Sequence, residues 1–579
     1  MNKDDKYANA VRDSDGHLNK IIESQSRKKI VVAGPGTGKT YLFKMLIEKM
    51  INSKGALTLT FVNSLVDDLS LELSGLSKVK TLHGFALECL RNVRHKGEKK
   101  YKDIKISPNL PKVIEEDYRG LEGGEIEFEK LFNNRDDDNE LIKFYKKRKD
   151  YYGKYCGKYY GFSDIIFALL KYFERHENKI PTYDLVLIDE FQDFNRLEIS
   201  LIDQLMRKSP IIFVGDDDQA LYKDIRDTST IYIRERFNNN DGEYEAFTLP
   251  YCRRCPRVIV EAVNDIINGA RSSGFLENRV DKRYQYFDQE KKDKISLLHP
   301  EIIHCKTFDN AIPSFIEIEL DKASKIEREK FSVLIISPWG KHCRYIAKAL
   351  MNKGFLNIDT GKNPAPEDQK LIDGLKILLE KNNSKSNLGW RMVSKFRLKP
   401  EEFQKVLKMS NEEGAELFMN MIDPQEKKEI KKILTSLRKL RDEPDSMTDN
   451  GIDEISRMVN LNPQDLVKSH LRKEFPPVSQ RIANRGLKNL HVQLTTVERA
   501  KGLSADYVFI THFDDKFFNE KKIGSEITNK DIRKFIVSLT RAERKIFLIS
   551  ADKSNEPTLL KWIQKERIHK TEYPAGTSG

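Results

Sequence analysis

The chain has 579 residues, 39% of them hydrophobic and 33% charged, and its formal net charge is +12. This length exceeds one ordinary core and suits three or four domains, and the composition is that of a soluble globular protein with a heavily charged surface and a preference for polyanionic partners. Six cysteines do not make a disulfide framework, no apolar run reaches the roughly 18 residues of a membrane span, and the charged start Met1–Lys6 lacks a signal peptide, so a cytoplasmic location is expected.

The first predicted strand, Ile30–Ala33, runs into Gly34-Pro35-Gly36-Thr37-Gly38-Lys39-Thr40, and a helical segment begins near Lys39. This is a Walker A loop with Ala33 in place of the usual first glycine. Its glycines let backbone N–H groups face inward and cradle phosphate oxygens. Lys39 is expected to reach the β- and γ-phosphates of ATP, and Thr40 to hold Mg²⁺. A second strand is predicted at Leu57–Phe61. An insertion rich in Lys, Tyr and Asp follows, from about Arg91 to Tyr160. Its stretch Lys146–Tyr160 (KKRKDYYGKYCGKYY) reads either as a strand-binding groove or as a solvated basic helix with tyrosines buried on one side.

The strand Leu185–Ile188 delivers Asp189 and Glu190 at its carboxyl end, where α/β sheets bind ligands. Asp189 suits a Mg²⁺ partner, and Glu190 suits the base that orients and deprotonates an attacking water. A further strand is predicted at Ile211–Val214. Cys252 and Cys255 form a single C-x-x-C without a second pair at zinc spacing, and read as buried thiols. A second zone of strands holds Ile302–Cys305, Val333–Ile336, Val492–Val497, Tyr507–Ile510 and Ile546–Ser550, interrupted by helices between about Asn363 and Leu487. The Lys/Glu-rich segment Lys427–Arg441 within that interruption reads as a solvated helix face. Apolar β-branched runs of this length suit parallel sheets covered on both faces. The expected fold is therefore α/β, with a first domain over 1–90 and 161–290, an insertion over 91–160, a second domain over 291–362 and 488–570, a helical insertion over 363–487, and a flexible tail over 571–579.

Eight boxes in order resemble the UvrD/Rep/PcrA group of superfamily 1 DNA helicases, from Val31 to Ser550. Counted apart from the Walker loop, the eight are Thr60–Asn63 (TFVN), Thr81–Phe85 (TLHGF), Phe162–Ile165 (FSDI), Asp189–Asp193 (DEFQD), Gly215–Tyr222 (GDDDQALY), Tyr251–Arg254 (YCRR), Thr496–Leu503 (TVERAKGL) and Val537–Ala542 (VSLTRA). The resemblance implies two RecA-like domains with one insertion each, ATP in the cleft between them and single-stranded DNA across the top. It makes Gln219 the γ-phosphate sensor, Arg253 the phosphate arginine of the YCRR box, Arg541 a second arginine from across the cleft, and Tyr251 a neighbour of the nucleotide. It places strand contacts at Phe61, Asn63, His83, Tyr222, Thr496 and Lys501. A 3′→5′ translocase acting on single-stranded or tailed duplex DNA follows from it. A partner-dependent motor working with a separate nuclease or another subunit, in repair or antiviral defence, is one alternative, and a nucleotide-gated binding switch is the other.

The departures fall on base recognition. The expected adenine-reading glutamine is missing from Asp15–Lys20, the stacking tyrosine aligns with Cys252 while Tyr251 is displaced by one, and the histidine expected in the TVERAKGL box is Glu498. The tryptophan expected soon after the motif tyrosine is absent, and Trp339, Trp390 and Trp562 lie elsewhere.

Overall fold

The computed structural model describes residues 3–50, 55–60, 63–73, 75–93, 104–136, 139–222, 227–238, 242–327, 330–360, 366–442, 456–457, 487–518, 527–552 and 555–573. The first eight strands are β1 (Lys28–Ala33), β2 (Ala56–Thr60), β3 (Ser77–Thr81), β4 (Ile104–Ile106), β5 (Lys158–Tyr160), β6 (Leu185–Ile188), β7 (Ile211–Gly215) and β8 (Glu245–Leu249). A short pair, β9 (Tyr251–Cys252) and β10 (Gln285–Tyr286), precedes β11 (Ile302–Lys306), β12 (Val333–Ser337), β13 (Asn357–Asp359), β14 (His491–Thr496), β15 (Ala505–Thr511), β16 (Ala542–Ser550) and β17 (Ile568–Glu572).

Two parallel sheets result, ordered β3-β2-β6-β7-β1-β8 and β13-β14-β12-β15-β16-β11-β17. Alternation along each strand feeds two cores. In the first sheet Ile30, Val32, Leu57, Leu59, Val186 and Ile188 face one cluster, and Val31, Ala33, Ala56, Leu185 and Leu187 face the other. In the second, Leu334, Ile336, Val508 and Ile510 oppose Val333, Ile335, Tyr507 and Phe509. Both sheets are covered by helices, which is why inner strands such as β1, β6, β7, β12 and β15 are largely apolar rather than alternating with polar residues, while the edge strands β3 and β17 carry lysines. The architecture is two RecA-like α/β domains. Among the described residues no helix is long and apolar enough to cross a membrane.

Two of the expected boundaries need correction. The first domain does not extend to 290. Helix Arg257–Ser272 buries Ile259, Ala262, Val263 and Ile266 in the same core as Ile532, Phe535 and Leu559 of the second domain. An ideal Cβ on Gly269 would lie 2.7 Å from the Trp562 ring, so the glycine permits that close packing. The chain changes domains just after β8. At the other end, residues 571–573 are not tail. β17 pairs with β11, and Tyr573 donates its N–H to Lys306 O at 3.0 Å and packs against Phe315. Residues 574–579 lie outside the described residues.

The two insertions join one another. Asp117 (helix Leu110–Glu122) accepts from Arg148 Nε at 3.0 Å and from Arg391 Nη2 at 2.8 Å, and also from the Tyr152 hydroxyl. Arg148, on helix Asn139–Gly153, also donates to Ser410 O at 3.0 Å. Arg391 and Ser410 belong to the second insertion, so one buried carboxylate joins both. This network, with the burial of Tyr152 and Tyr159, gives Arg148 and those tyrosines of the basic–aromatic stretch Lys146–Tyr160 a packing role, while Lys146, Lys147, Lys154, Tyr155 and Lys158 stay exposed. Helix Pro424–Asp442 buries Ile430, Ile433, Leu434, Leu437 and Leu440 and turns its lysines outward, the solvated face its charge pattern suggested.

Candidate nucleotide site at the domain cleft

β1 ends at Ala33, and the loop turns into helix Lys39–Met50. Gly36 and Gly38 take φ +69° and +90°, the left-handed region that side chains resist. Gly36 also has no room for a Cβ, which would lie 2.5 Å from Arg254 Cβ. The loop is braced by the Thr37 hydroxyl donating to Gly34 O (2.9 Å), the Tyr284 hydroxyl donating to Pro35 O (3.0 Å) and the Arg253 N–H donating to Gly36 O (2.7 Å). Thr40 is the second residue of the helix that follows.

Lys39 Nζ lies 2.9 Å from Glu190 Oε1. Glu190 sits just past β6 with φ +52°, a strained conformation for a residue with a side chain, and its other oxygen accepts from Gln192 Nε2 at 2.6 Å. Burial alone would raise the Glu190 pKa, but the ammonium groups of Lys39 and Lys501 outweigh it and hold the carboxyl well below the usual range. Asp189 goes the other way, raised by burial and by the adjacent Glu190 charge. Asp189 Oδ1 is buried without a hydrogen-bond partner. Neighbouring carboxylates driven apart in this way make this strand end a candidate site for chemistry.

Gln192 also ties the two acidic boxes together, accepting from Asp216 N–H at 2.8 Å. Gln219 Nε2 donates to Asp216 Oδ2 at 2.7 Å, and its Oε1 accepts from Arg541 Nη2 at 3.4 Å. Arg541 stands between helix Asn529–Leu539 and β16, with Nε on Val537 O (2.9 Å) and Nη1 on Leu503 O (3.2 Å). The guanidinium of a second-domain residue thus reaches Gln219 on the first domain's loop after β7. Burial, then the nearby Arg254 charge, lowers the Arg541 pKa to about 10.

Asp216, Asp217 and Asp218 lie close enough together to suggest a metal cluster. Their charge is met instead by Lys282, whose Nζ lies 2.9, 2.7 and 2.8 Å from the three carboxylates in turn. Arg279 pairs with Asp218 at 2.8 Å and Arg234 with Asp217 at 3.0 Å. Lys282 and Arg279 lie outside every sequence box, and nothing in local sequence marked them.

Several expected site residues stand elsewhere than expected. The Arg253 side chain is exposed, donates to Ser14 Oγ at 2.8 Å and covers Phe287 at 4.2 Å. Strand alternation through β9 explains this: Cys252 and Arg254 turn inward, Tyr251 and Arg253 outward toward helix Lys3–Glu23. The arginine beside Gly36 and electrostatically next to Arg541 is Arg254. The Tyr251 hydroxyl bonds Asp13, and its ring meets His17 edge-on at 6.4 Å. Cys252 and Cys255 are buried free thiols. Lys501 is not on a strand-binding surface: its buried Nζ bonds Asp193, donates to Gln219 O at 2.9 Å and lies 3.4 Å from Glu190 Oε2. The turn after β14 folds back into the cleft and carries the lysine with it. The Tyr222 hydroxyl spans the same cleft to Glu498 O at 2.8 Å. His83, just inside the helix capped by Thr81, meets Phe162 edge-on at 4.8 Å and lies 3.8 Å from Glu198. Thr496 closes β14. Phe61 lies outside the described residues, and of Asn63 only the backbone is described, at the start of helix Asn63–Glu72.

A glycine-rich loop, a lysine, an acidic pair and a facing arginine between two RecA-like domains define a P-loop nucleotide-binding protein. A family model described as "AAA domain" matches residues 19–224. The ATP-dependent DNA helicase Rep of Buchnera aphidicola is 21% identical, over 62% of this chain and 62% of its own length, so the chain spans less than two thirds of that relative. Probable DNA helicase II homologues of Mycoplasma genitalium and Mycoplasma pneumoniae are 21% and 22% identical, over 94% and 90% of this chain and 86% and 81% of theirs. With the ordered boxes, these matches make the chain similar to the UvrD/Rep-like group of superfamily 1.

Proposed function

We propose that the chain is an ATP-dependent DNA helicase or translocase that moves 3′→5′ along single-stranded DNA. One observation carries the reading: Lys501 and Arg541 of the second domain meet Glu190, Asp193 and Gln219 of the first in a single buried cluster. A site completed by both domains makes hydrolysis depend on their closure, and closure is the movement a motor needs. The names borne by the Buchnera and Mycoplasma relatives support DNA as the track.

In this reading Lys39 and the loop N–H groups bind the β- and γ-phosphates, with Arg254 in the phosphate role the sequence assigned to Arg253. Glu190, kept ionised by its two lysine neighbours, accepts the proton of the attacking water. Gln219 relays the state of the γ-phosphate to Asp216 on one side and Arg541 on the other. Asp189, with a buried oxygen free of hydrogen bonds, and the Thr40 hydroxyl form the hard-oxygen set that Mg²⁺ prefers, and they would hold it. When bound, Mg²⁺ supplies charge neutralisation at the phosphates. Tyr251, His17, Arg253 and Phe287 form the side chains on the base side. They lack an amide that could read adenine, so base selectivity should be loose.

The test is ATP turnover with and without single-stranded DNA, followed by strand displacement on tailed duplexes. Strand-stimulated turnover is expected. Equal rates would replace the motor with a nucleotide-gated switch.

A further inference from the structure

The second sheet carries an aromatic stack that the nucleotide site does not use. Trp339 follows β12 and caps helix Gly340–Asn352; the residue is 43% exposed. His342 stacks behind it with centroids 5.3 Å apart and planes 27° from parallel. His512 stacks behind His342 at 3.8 Å and 7°. Phe517 meets all three rings edge-on, at 5.5, 5.2 and 5.6 Å.

The stack is held from below. His512 has φ +52°, and its Nε2 lies 2.6 Å from Asp309 Oδ1 and its Nδ1 3.2 Å from Thr511 Oγ1. Strained non-glycine backbone of this kind persists where surroundings impose it, often at ligand sites. Burial lowers the His342 pKa to about 4, leaving a neutral flat ring whose buried Nδ1 has no hydrogen-bond partner. The surface around the stack is basic: Lys341 Nζ stands 4.3 Å from the Trp339 centroid, and Arg344 and Lys516 are exposed nearby.

Its position in the fold matters as much as its chemistry. β12 and β15 are neighbours, yet the chain leaves β12 toward β13 at one edge and leaves β15 toward β16 on the other side. That divergence opens a crevice at the carboxyl ends of the strands, where open parallel sheets bind ligands. Trp339 and His342 follow β12, and His512 and Phe517 follow β15. Ser337, the last residue of β12, lies in register with Thr496 on β14.

We propose that Trp339, backed by His342 and His512, is a stacking plate for an unpaired nucleobase of the bound strand, with Lys341, Arg344 and Lys516 drawing the adjoining phosphates. The proposal rests on the motor reading above and supplies a base contact where the expected tryptophan after Tyr222 is absent. Aromatic faces bind bases without regard to sequence, as a translocating chain requires.

The test compares binding of a labelled oligothymidylate with that of an abasic strand of equal length, by fluorescence anisotropy on the full chain. Trp339→Ala should weaken oligothymidylate binding about tenfold and leave abasic binding within about twofold, while Trp339→Phe keeps most of the affinity. Trp339 fluorescence should quench on binding, a signal lost in Trp339→Phe, since Trp390 is buried and Trp562 packs against helix Arg257–Ser272. Unchanged oligothymidylate binding in Trp339→Ala overturns the plate. Equal loss on both strands also overturns it, because stacking needs the base. If the unaltered chain binds neither strand, the motor reading itself falls, and the plate with it.

Discussion

Glu190 and Lys39 make opposite demands on one ion pair, and substitution separates them. Lys39→Ala removes charge that both ground and transition states use, so turnover and ATP affinity should fall together. Glu190→Gln keeps the shape and loses the base. Turnover should vanish while nucleotide binding persists, measured by equilibrium binding of a fluorescent ATP analogue; native-rate hydrolysis would remove Glu190 from the base role. Arg541 offers a fixed fork that a lysine cannot imitate. Arg541→Ala should cost about 10³-fold or more in turnover with far less effect on affinity, and Arg541→Lys should not restore it. If turnover survives and strand binding is lost instead, the arginine belongs to the track. Lys282 acts through others. Its removal leaves three buried carboxylates short of a counter-charge, a loss of roughly 3–5 kcal/mol by analogy with other broken buried pairs. Lys282→Met should lower the melting temperature markedly, and Lys282→Arg should recover stability in part; an unchanged melting temperature for Lys282→Met would show that Arg279 and Arg234 suffice.

Between elements, the joint of the two insertions hangs on Asp117. Burial would raise its pKa, but the Arg391 and Arg148 charges, with the Tyr152 hydrogen bond, outweigh that and leave it lowered. A carboxyl with a depressed folded-state pKa contributes stability above its unfolded pKa and loses it as pH falls through the folded one. The joint should therefore be firm at neutral pH and weaken only in acid below the ordinary carboxylate range. Asp117→Asn should lose roughly 3–5 kcal/mol at pH 7, and the gap from the unaltered protein should narrow on acidification, as chemical denaturation at several pH values would show. A gap independent of pH would mean that packing of Tyr152 and Arg391, not charge, holds the insertions. None of this was visible in sequence order, because Asp117, Arg148 and Arg391 lie far apart along the chain and each resembles an ordinary surface charge.

For the molecule as a whole, the cleft sets what can be measured. In the proposed reading the base side is built from Tyr251, His17, Arg253 and Phe287, whose edges and charge suit any purine or pyrimidine better than adenine alone. ATP, GTP and CTP should therefore be turned over at rates within about tenfold of one another, a spread of roughly 1.4 kcal/mol in barrier. A strict preference for ATP would show a base-reading contact outside this group. β9 and helix Arg257–Ser272 pack with the second domain while the Arg253 N–H holds Gly36 O in the first, so the phosphate loop is braced from both domains.

Motif residues adjacent in sequence were legible because their chemistry is local. The glycines of the Walker loop need positive φ, the acidic pair needs a strand to deliver it, and apolar runs need two covered faces; each demand is satisfied within about ten residues, so the two α/β domains and the placement of the glycine loop and acidic pair at strand ends could be read directly from the chain. Direction of side chains across the cleft could not. Whether Arg253 or Arg254 faces the loop depends on the phase of a two-residue strand, and Lys501 reaches Glu190 only because the turn after β14 folds back. Lys282, Arg279 and the Trp339–His342–His512 stack carry no sequence signature at all. Their partners come from distant strands, and only the packing of two parallel sheets and their connections brings those charges and rings together.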